Sequence, residues 1–403
     1  MRRTGNNKKD CVLYYGVAIT DKVQRLRRLA TINVPGTNRM YRLAEALRRD
    51  DRKCIVVSPG IFPRIKNQWK VIPSVIERRG KVIVLTLAQV GVCWLGFILA
   101  PISAVMGAIR IAKEYNIKQI VHYNFTPDGI LVALWCRLFY HSKSVVDLED
   151  INIPRLSDWT NRQKTKPIHQ LAYWLAMRIS VSLSRHVIVP TRRFCKMLPK
   201  NKKYVVVSGC QSVLDCSSSV SQDRDSIHML MSGGTNPDYG ARIIADALDI
   251  VEKTGTTCEL ELFVCGKDRE DWFAKRTGYL KRVKVHHLGF LATEDFKDMY
   301  RNIDLCFALM DPNGREGDYK TPSKGYEAMC SGKALIVSNV GDFDLLPKNV
   351  CFYLPEYTAE SLAKLLSSLT KADVVSCRRA GFEYAKENFD IPHVRNKLFA
   401  AGL

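Results

Sequence analysis

Two kinds of hydrophobic pattern alternate along the chain. Val12 to Ala18, Cys54 to Ser58, Val82 to Leu87, Lys118 to Tyr123, Ser144 to Asp147 and His186 to Val189 read as strands. Between them Met40 to Arg49, Ile130 to Phe139 and Ile168 to Ser184 carry helical spacing. After residue 204 the rhythm resumes: strands over Ile227–Ser232, Glu259–Gly266, Val283–Gly289, Asp304–Leu309 and Ala334–Ser338, helices over Ala241–Lys253, Thr293–Arg301 and Thr358–Leu369. In the first of these helices Ile243, Ile244, Ala247, Leu248 and Val251 mark one face. Strands and helices joined by short loops predict parallel sheets and an α/β chain. Its 403 residues suffice for two domains, expected over 1–203 and 204–385, with a C-terminal helix over 386–403; Pro392 is expected to break the Phe382–Phe399 stretch into two helical pieces.

Val82 to Ile109 holds 28 residues without a charge. That length would allow a membrane span, but Gln89, Gly91, Gly96, Pro101, Ser103 and Gly107 interrupt it. A strand followed by a helix whose apolar side lies against a bilayer is the expectation; a buried core helix is the competing account.

Charge sharpens this. Residues 1–200 contain 35 Lys and Arg against 12 Asp and Glu, whereas residues 201–403 contain 26 against 28, so the net +21 belongs to the first half. A positive field on one half implies an anionic partner there, either lipid head groups or nucleic acid. Basic residues flank the Ile168–Ser184 helix and the strand after it: Arg162, Lys164 and Lys166 before, Arg192, Arg193, Lys196, Lys200, Lys202 and Lys203 after. No recognised nucleic-acid module accompanies them, so nucleic acid is not expected as a partner. Thirteen cysteines without CxxC pairs or zinc spacing point to reduced thiols in the cytoplasm, with neither disulfides nor a metal site. Of two D-x-D spacings, Asp223-Arg-Asp225 precedes a strand instead of ending one, whereas Asp342-Phe-Asp344 follows one, where a solvated loop is the expectation and a metal the alternative. Met1 to Asp10 is basic, but the apolar run after it is short for a cleavable signal peptide.

Glu316 to Gly341 (EGDYKTPSKGYEAMCSGKALIVSNVG) is the most informative stretch. Thr321 suits an N-cap, Pro322 the first helical position, and Gly332 the left-handed stop of a short helix. Tyr326, Met329 and Cys330 share its apolar face, and Lys324 and Glu327 share another. The unpaired N–H groups and positive dipole end of such a helix can hold an anion, and a carboxylate one turn further in can meet hydroxyls attached to it. An ordinary capped helix with a surface ion pair is the plainer alternative.

Pro322-Ser323-Lys324-x-x-Glu327, then Gly332-Lys333, a strand and a Gly turn, resembles the donor-site motif of GT-B glycosyltransferases, above all the retaining family 4 group. The resemblance implies two Rossmann-like domains facing a cleft, with a C-terminal helix crossing back to the first domain. It implies that Glu327 meets the donor sugar or ribose, while Lys320, Thr321, Pro322, Ser323 and Lys324 surround the diphosphate. Gly36, in the loop after the first strand, and Gly233, Gly234, Thr235 and Arg242, in and after the loop of the second domain, would lie near the donor phosphates, as would Lys267. Leu288 belongs to a turn that faces the base. The chain departs from the family at Tyr319, where an acid is usual, and at Thr235 and Tyr239, where an Arg and a Lys are common. Asn124 occupies the counterpart of a family histidine.

His122, Asp147, Glu149 and Asp150 stand at the carboxyl ends of two consecutive strands, where open α/β sheets place ligands, and are candidates to orient an acceptor hydroxyl or the sugar. Together these readings predict a retaining, metal-independent hexosyltransferase that needs no cofactor beyond its nucleotide-diphosphate-sugar. The expected acceptor is a lipid-linked glycan of surface polysaccharide or glycolipid assembly, at the cytoplasmic face of an anionic membrane. The alternatives are a catalytically inactive GT-B scaffold that only binds, or a basic nucleic-acid-binding protein.

Overall fold

The computed structural model describes residues 8–27, 34–59, 71–150, 167–213, 225–233, 235, 240–268, 271–314, 317, 319–320 and 322–403. The chain divides into two compact units. The first comprises Met1–Pro190, Pro199–Cys210 and Val394–Leu403; the second comprises Thr191–Leu198 and Gln211–His393.

In the first unit the elements run β1 (Lys9–Tyr15), α1 (Asp21–Arg27), α2 (Val34–Leu47), β2 (Arg52–Ser58), β3 (Val71–Ile72), β4 (Val75–Arg79), β5 (Val82–Thr86), β6 (Gln89–Val90), α3 (Cys93–Glu114), β7 (Tyr115–Tyr123), α4 (Pro127–Tyr140), β8 (Lys143–Asp147), α5 (Pro167–Leu183) and β9 (His186–Val189). The short α6 (Arg192–Cys195) falls in the second unit, and β10 (Lys203–Val206) returns to the first. Eight strands form one sheet in the order β10-β9-β8-β7-β1-β2-β5-β4, parallel except where β4 runs against β5. Three sequence expectations are corrected here. Strand β1 begins at Lys9, three residues early, because Lys9 and Asp10 pair with β7 at the sheet's end. The helix expected from Met40 starts at Val34, so Gly36 sits in its first turn and not in a loop. Residues 203–206, just past the expected last strand, pair in register with β9.

Right-handed crossovers sort the helices. Passing from β1 to β2 through α2 moves one way along the sheet, whereas β5-α3-β7, β7-α4-β8 and β8-α5-β9 all move the other way. Helix α2 therefore covers one face, and α3, α4 and α5 share the opposite face, with α4 packed between its neighbours. Among the described residues no helix is long and apolar enough to cross a membrane.

The second unit runs β11 (Ser226–Ser232), α7 (Ala241–Thr254), β12 (Glu259–Cys265), α8 (Trp272–Thr277), β13 (Val283–Gly289), α9 (Thr293–Arg301), β14 (Leu305–Ala308), α10 (Ser323–Cys330), β15 (Ala334–Val337), β16 (Phe352–Tyr353), α11 (Ala359–Ser368) and α12 (Lys371–Asn388). Its six strands are parallel, in the order β13-β12-β11-β14-β15-β16. The predicted apolar face of α7 is buried, as Ile243, Ile244, Ala247, Leu248 and Val251 all enter the core. The tail breaks at Phe389 and Asp390, and Pro392 occupies the second position of α13 (Ile391–Ala400), where a proline costs no hydrogen bond. From Val394 onward α13 belongs to the first unit: Arg395 donates to the Ala46 and Glu45 carbonyls, and the Arg49 guanidinium lies 3.9 Å from the Phe399 ring centroid.

Candidate functional site

The second unit gathers a cluster at the carboxyl ends of its strands. Helix α10 starts one residue later than expected, with Pro322 in the N-cap position, and Thr321 lies outside the described residues. At its other end Gly332 adopts φ +63°, its N–H reaches the Met329 carbonyl, and the Lys333 N–H reaches Ala328, which is a Schellman stop. Tyr326, Met329 and Cys330 are buried, with the Tyr326 ring 4.8 Å from Phe389 and 5.4 Å from Phe343. Gly325 packs so closely on the core that an added Cβ would stand 2.6 Å from the Phe343 ring. That burial fixes the helix and leaves Ser323, Lys324 and Glu327 half-buried.

Lys324 does not project into solvent. Its ammonium donates to the carbonyl of Ser232, the last residue of β11, and lies against Gly233. Burial lowers its pKa below the ordinary lysine value, and Glu327, one turn on, opposes the shift. Gly233 has φ +110° and its N–H donates to the Cys265 carbonyl at 2.7 Å. Gly266 has φ +127°, and an added Cβ would collide with the Gly233 carbonyl. Two glycines thus bring the ends of β11 and β12 into backbone contact, with a cation laid over the join.

The remaining donor candidates divide by exposure. Thr235 is buried; its hydroxyl donates to Asp268 at 2.6 Å, and its N–H donates to the Lys267 carbonyl. Asp268 loses solvent, yet the Thr235 hydroxyl and the Ala274 and Phe273 N–H groups hold its carboxyl below the usual range. Thr235 is therefore a brace for the start of α8 and does not present its hydroxyl to solvent. Arg242, in the first turn of α7, and Lys267 are exposed; Lys320 and Leu288 are half-buried. Gly234 lies outside the described residues. Tyr319, at the place of the family's first acid, is buried edge-on against Phe194 with centroids 6.1 Å apart, and its carbonyl accepts from Thr191. The sequence reading missed Phe290, which follows Gly289 (φ +59°) at the end of β13 and is 82% exposed. An aromatic directly after a strand-ending glycine was the available signal.

Asp342-Phe-Asp344 proves to be structural. Asp342 accepts the N–H groups of Arg192 (2.6 Å) and Arg193 (3.4 Å), and Asp344 pairs with the Arg193 guanidinium at 2.7 Å, which anchors the 191–198 segment in this unit. Asp223 of the other spacing is outside the described residues, among which no group of three or more potential ligands is placed to hold a metal ion.

In the first unit the strand-end candidates separate into layers. His122 is fully buried, and burial pushes its pKa down to about 4, so the ring is neutral at pH 7 and does not face solvent. Asp147 is also fully buried: both carboxylate oxygens accept from Arg39, and Tyr14 donates to it at 2.5 Å. Burial disfavours the charge on Arg39, but Asp147 more than offsets it and holds the guanidinium protonated. Both residues thus sit beneath the surface they were expected to line. Glu149 is half-buried and accepts from Tyr123; burial raises its pKa against the pull of Arg39. Asp150 is exposed. Asn124, left-handed at φ +53°, ties this layer together. Its N–H donates to the Asp147 carbonyl (2.7 Å), and its side-chain oxygen accepts from the N–H groups of Glu149 (2.8 Å) and Asp150 (3.2 Å).

Residues 227–372 match the sequence model of the family described as glycosyl transferases group 1. No curated protein sequence matches the chain. Among solved structures, sucrose-phosphate synthase from Thermosynechococcus elongatus superposes with a TM-score of 0.65 at 14% identity, over 97% of this chain and 100% of the other. HepE from Anabaena, in complex with UDP and glucose, gives 0.56 at 16% identity over 98% and 99%. The lipopolysaccharide outer core galactosyltransferase WaaB gives 0.56 at 12% identity over 97% and 98%. The chain has the GT-B fold, and the match to the group 1 glycosyl transferase model falls within its second unit.

Proposed function

We propose that this protein transfers a sugar from a nucleotide-diphosphate-sugar held by the second unit to a hydroxyl of an acceptor held by the first. The observation that carries the proposal is the Lys324 ammonium, brought from α10 onto the glycine junction of β11 and β12. A cation there, beside the N-terminus of α10, neutralises charge as the diphosphate leaves, which is the main electrostatic demand of an oxocarbenium-like transition state. Pro322, Ser323 and Lys320 would border the diphosphate, and Arg242 and Lys267, both exposed, would supply further positive charge to it. Glu327 contacts the sugar or ribose. Phe290 and Leu288 offer the base an apolar surface; HepE, of the same fold, was solved with UDP and glucose.

Transfer retains anomeric configuration and uses the helix start and Lys324 in place of a divalent ion. Glu149 and Asp150 orient the acceptor hydroxyl, with Asn124 setting their backbone. A lipid-linked glycan, used in polysaccharide or glycolipid assembly at the membrane, fits the positive charge of residues 1–200.

A thermal-shift screen with UDP-, GDP-, ADP- and dTDP-sugars tests the donor assignment. One nucleotide class should raise the melting temperature of the wild type and raise it less for Lys324→Met. No shift with any of them would end the proposal. Buried Tyr319 and internally bonded Thr235 favour one second reading, a binding protein without transfer. Donor hydrolysis by the wild type, lowered in Glu327→Ala, excludes it.

A further inference from the structure

The three helices that share one face of the first sheet turn apolar side chains outward as well as inward. On α3, Ile98 (62% exposed), Ile102 and Met106 recur every four residues and end at exposed Arg110. On α4, Leu131, Leu138 (68% exposed) and Phe139 are exposed, with Trp135 stacked on Phe139 at 4.0 Å. On α5, Leu171, Leu175 and Ile179 repeat the four-residue step beside exposed Tyr173. Because right-handed crossovers put all three helices on one side of the sheet, these stripes lie next to each other and form one surface. At its α3 edge the surface continues into an apolar groove of about 240 Å³, lined by Val71, Val90, Leu99 and Ile102. Monomeric soluble proteins rarely leave so broad an apolar surface uncovered.

Charge on the same helices identifies what covers it. Arg110, Lys113, Arg137 and Arg178 are exposed, whereas the two carboxylates are Glu114 and Asp128, and Asp128 is turned inward to accept from Tyr15 at 2.6 Å. A second copy pressed on this face would bring like charges together. A bilayer with anionic head groups instead receives the apolar stripes and pairs with the cations.

We propose that the outer face of α3, α4 and α5 is the docking surface of this protein on an anionic bilayer. This deepens the reading above, on which it rests for the lipid-linked acceptor.

The test is co-sedimentation of the full chain with vesicles of phosphatidylcholine alone and of phosphatidylcholine containing phosphatidylglycerol. The wild type should bind the anionic vesicles preferentially. Replacing Ile98, Ile102 and Met106 together by Ser should weaken that binding on the order of tenfold. Arg110→Gln, Arg137→Gln and Arg178→Gln combined should remove the preference for phosphatidylglycerol. Circular dichroism and the nucleotide-sugar thermal shift should match wild type in both variants, since the substitutions lie in the other unit from the donor site. Equal sedimentation of wild type and the Ser variant would overturn the proposal. So would a wild type that stays in solution with both vesicles, including one that light scattering shows to be a dimer the Ser variant breaks. Loss of the thermal shift in the wild type would count against the transferase reading alone, because vesicle binding is scored without donor.

Discussion

Arg39 and Asp147, 108 residues apart in sequence, form a bidentate pair, with Nη2 2.7 Å and Nε 3.1 Å from the carboxylate. Asp147 is fully buried, and Tyr14 and the Val207 carbonyl complete the network. The pair ties α2, β8 and the chain after β10 together beneath the proposed acceptor residues. Asp147→Asn leaves a buried guanidinium without its counter-charge and should cost about 3–5 kcal/mol in urea unfolding. Arg39→Met combined with it should recover part of that loss, and additive losses would contradict the coupling.

Lys324 should couple donor affinity to pH if it holds the diphosphate as proposed. Because burial lowers its pKa, the ammonium loses its proton at a lower pH than an exposed lysine does. Affinity for a nucleoside diphosphate should be highest below that pKa and fall as pH rises through it. Lys324→Arg keeps the charge and should shift the fall to higher pH, while Lys324→Met should weaken binding about tenfold or more at neutral pH. Calorimetric titrations at several pH values would show a flat profile if Lys324 stands off the diphosphate.

The glycine junction should be intolerant of side chains. Gly266→Ala meets both a left-handed backbone (φ +127°) and the Gly233 carbonyl, and should destabilise by at least about 2 kcal/mol. Gly80→Ala has only the backbone cost, since nothing lies within 4 Å of its added Cβ, and should lose about 1 kcal/mol. Equal losses in chemical denaturation would mean that the contact between strand ends does not matter.

Glu149 is held where its charged form is disfavoured. Its folded pKa is raised, so the folded state binds a proton more readily than the unfolded state does, and stability falls as pH rises from the unfolded value through the folded one. Glu149→Gln removes that loss and should raise the melting temperature at neutral pH by about 2–4 °C, with little gain at acid pH. Transfer should drop in the same variant. A more stable and fully active Glu149→Gln protein would remove this carboxylate from the mechanism.

His122 gives the opposite limb. With its pKa pushed down to about 4, the neutral ring is favoured in the folded state. Its contribution is complete above the unfolded value of about 6.5 and is lost as pH falls from there toward 4. His122→Leu should flatten the melting temperature across that window, while wild type declines. Parallel declines would place the acid sensitivity elsewhere.

Local pattern was enough for much of the second unit. Val283–Gly289 and Thr293–Arg301 form as expected, because period and turn residues agree there without help from distant contacts. The face of α10 was also legible, since Tyr326, Met329 and Cys330 at helical spacing can only bury together. The start of α2 was not legible. Gly36 read as a loop residue, yet the helix begins at Val34, and Pro35 and Gly36 occupy its first turn.

The sequence by itself determined the alternation of strand and helix, the glycines at strand ends, the short helix with Lys324 and Glu327 on one side, and the uneven charge. Spacing along a chain fixes which residues share a face of one element. Only tertiary structure decided what each face meets: that Lys324 reaches Ser232, 92 residues away, that Tyr319 and Thr235 turn inward, and that Asp147 and His122 lie below the surface while Glu149 stays near it. Burial and pairing come from contacts between distant segments, and those contacts set which polar groups remain available for chemistry.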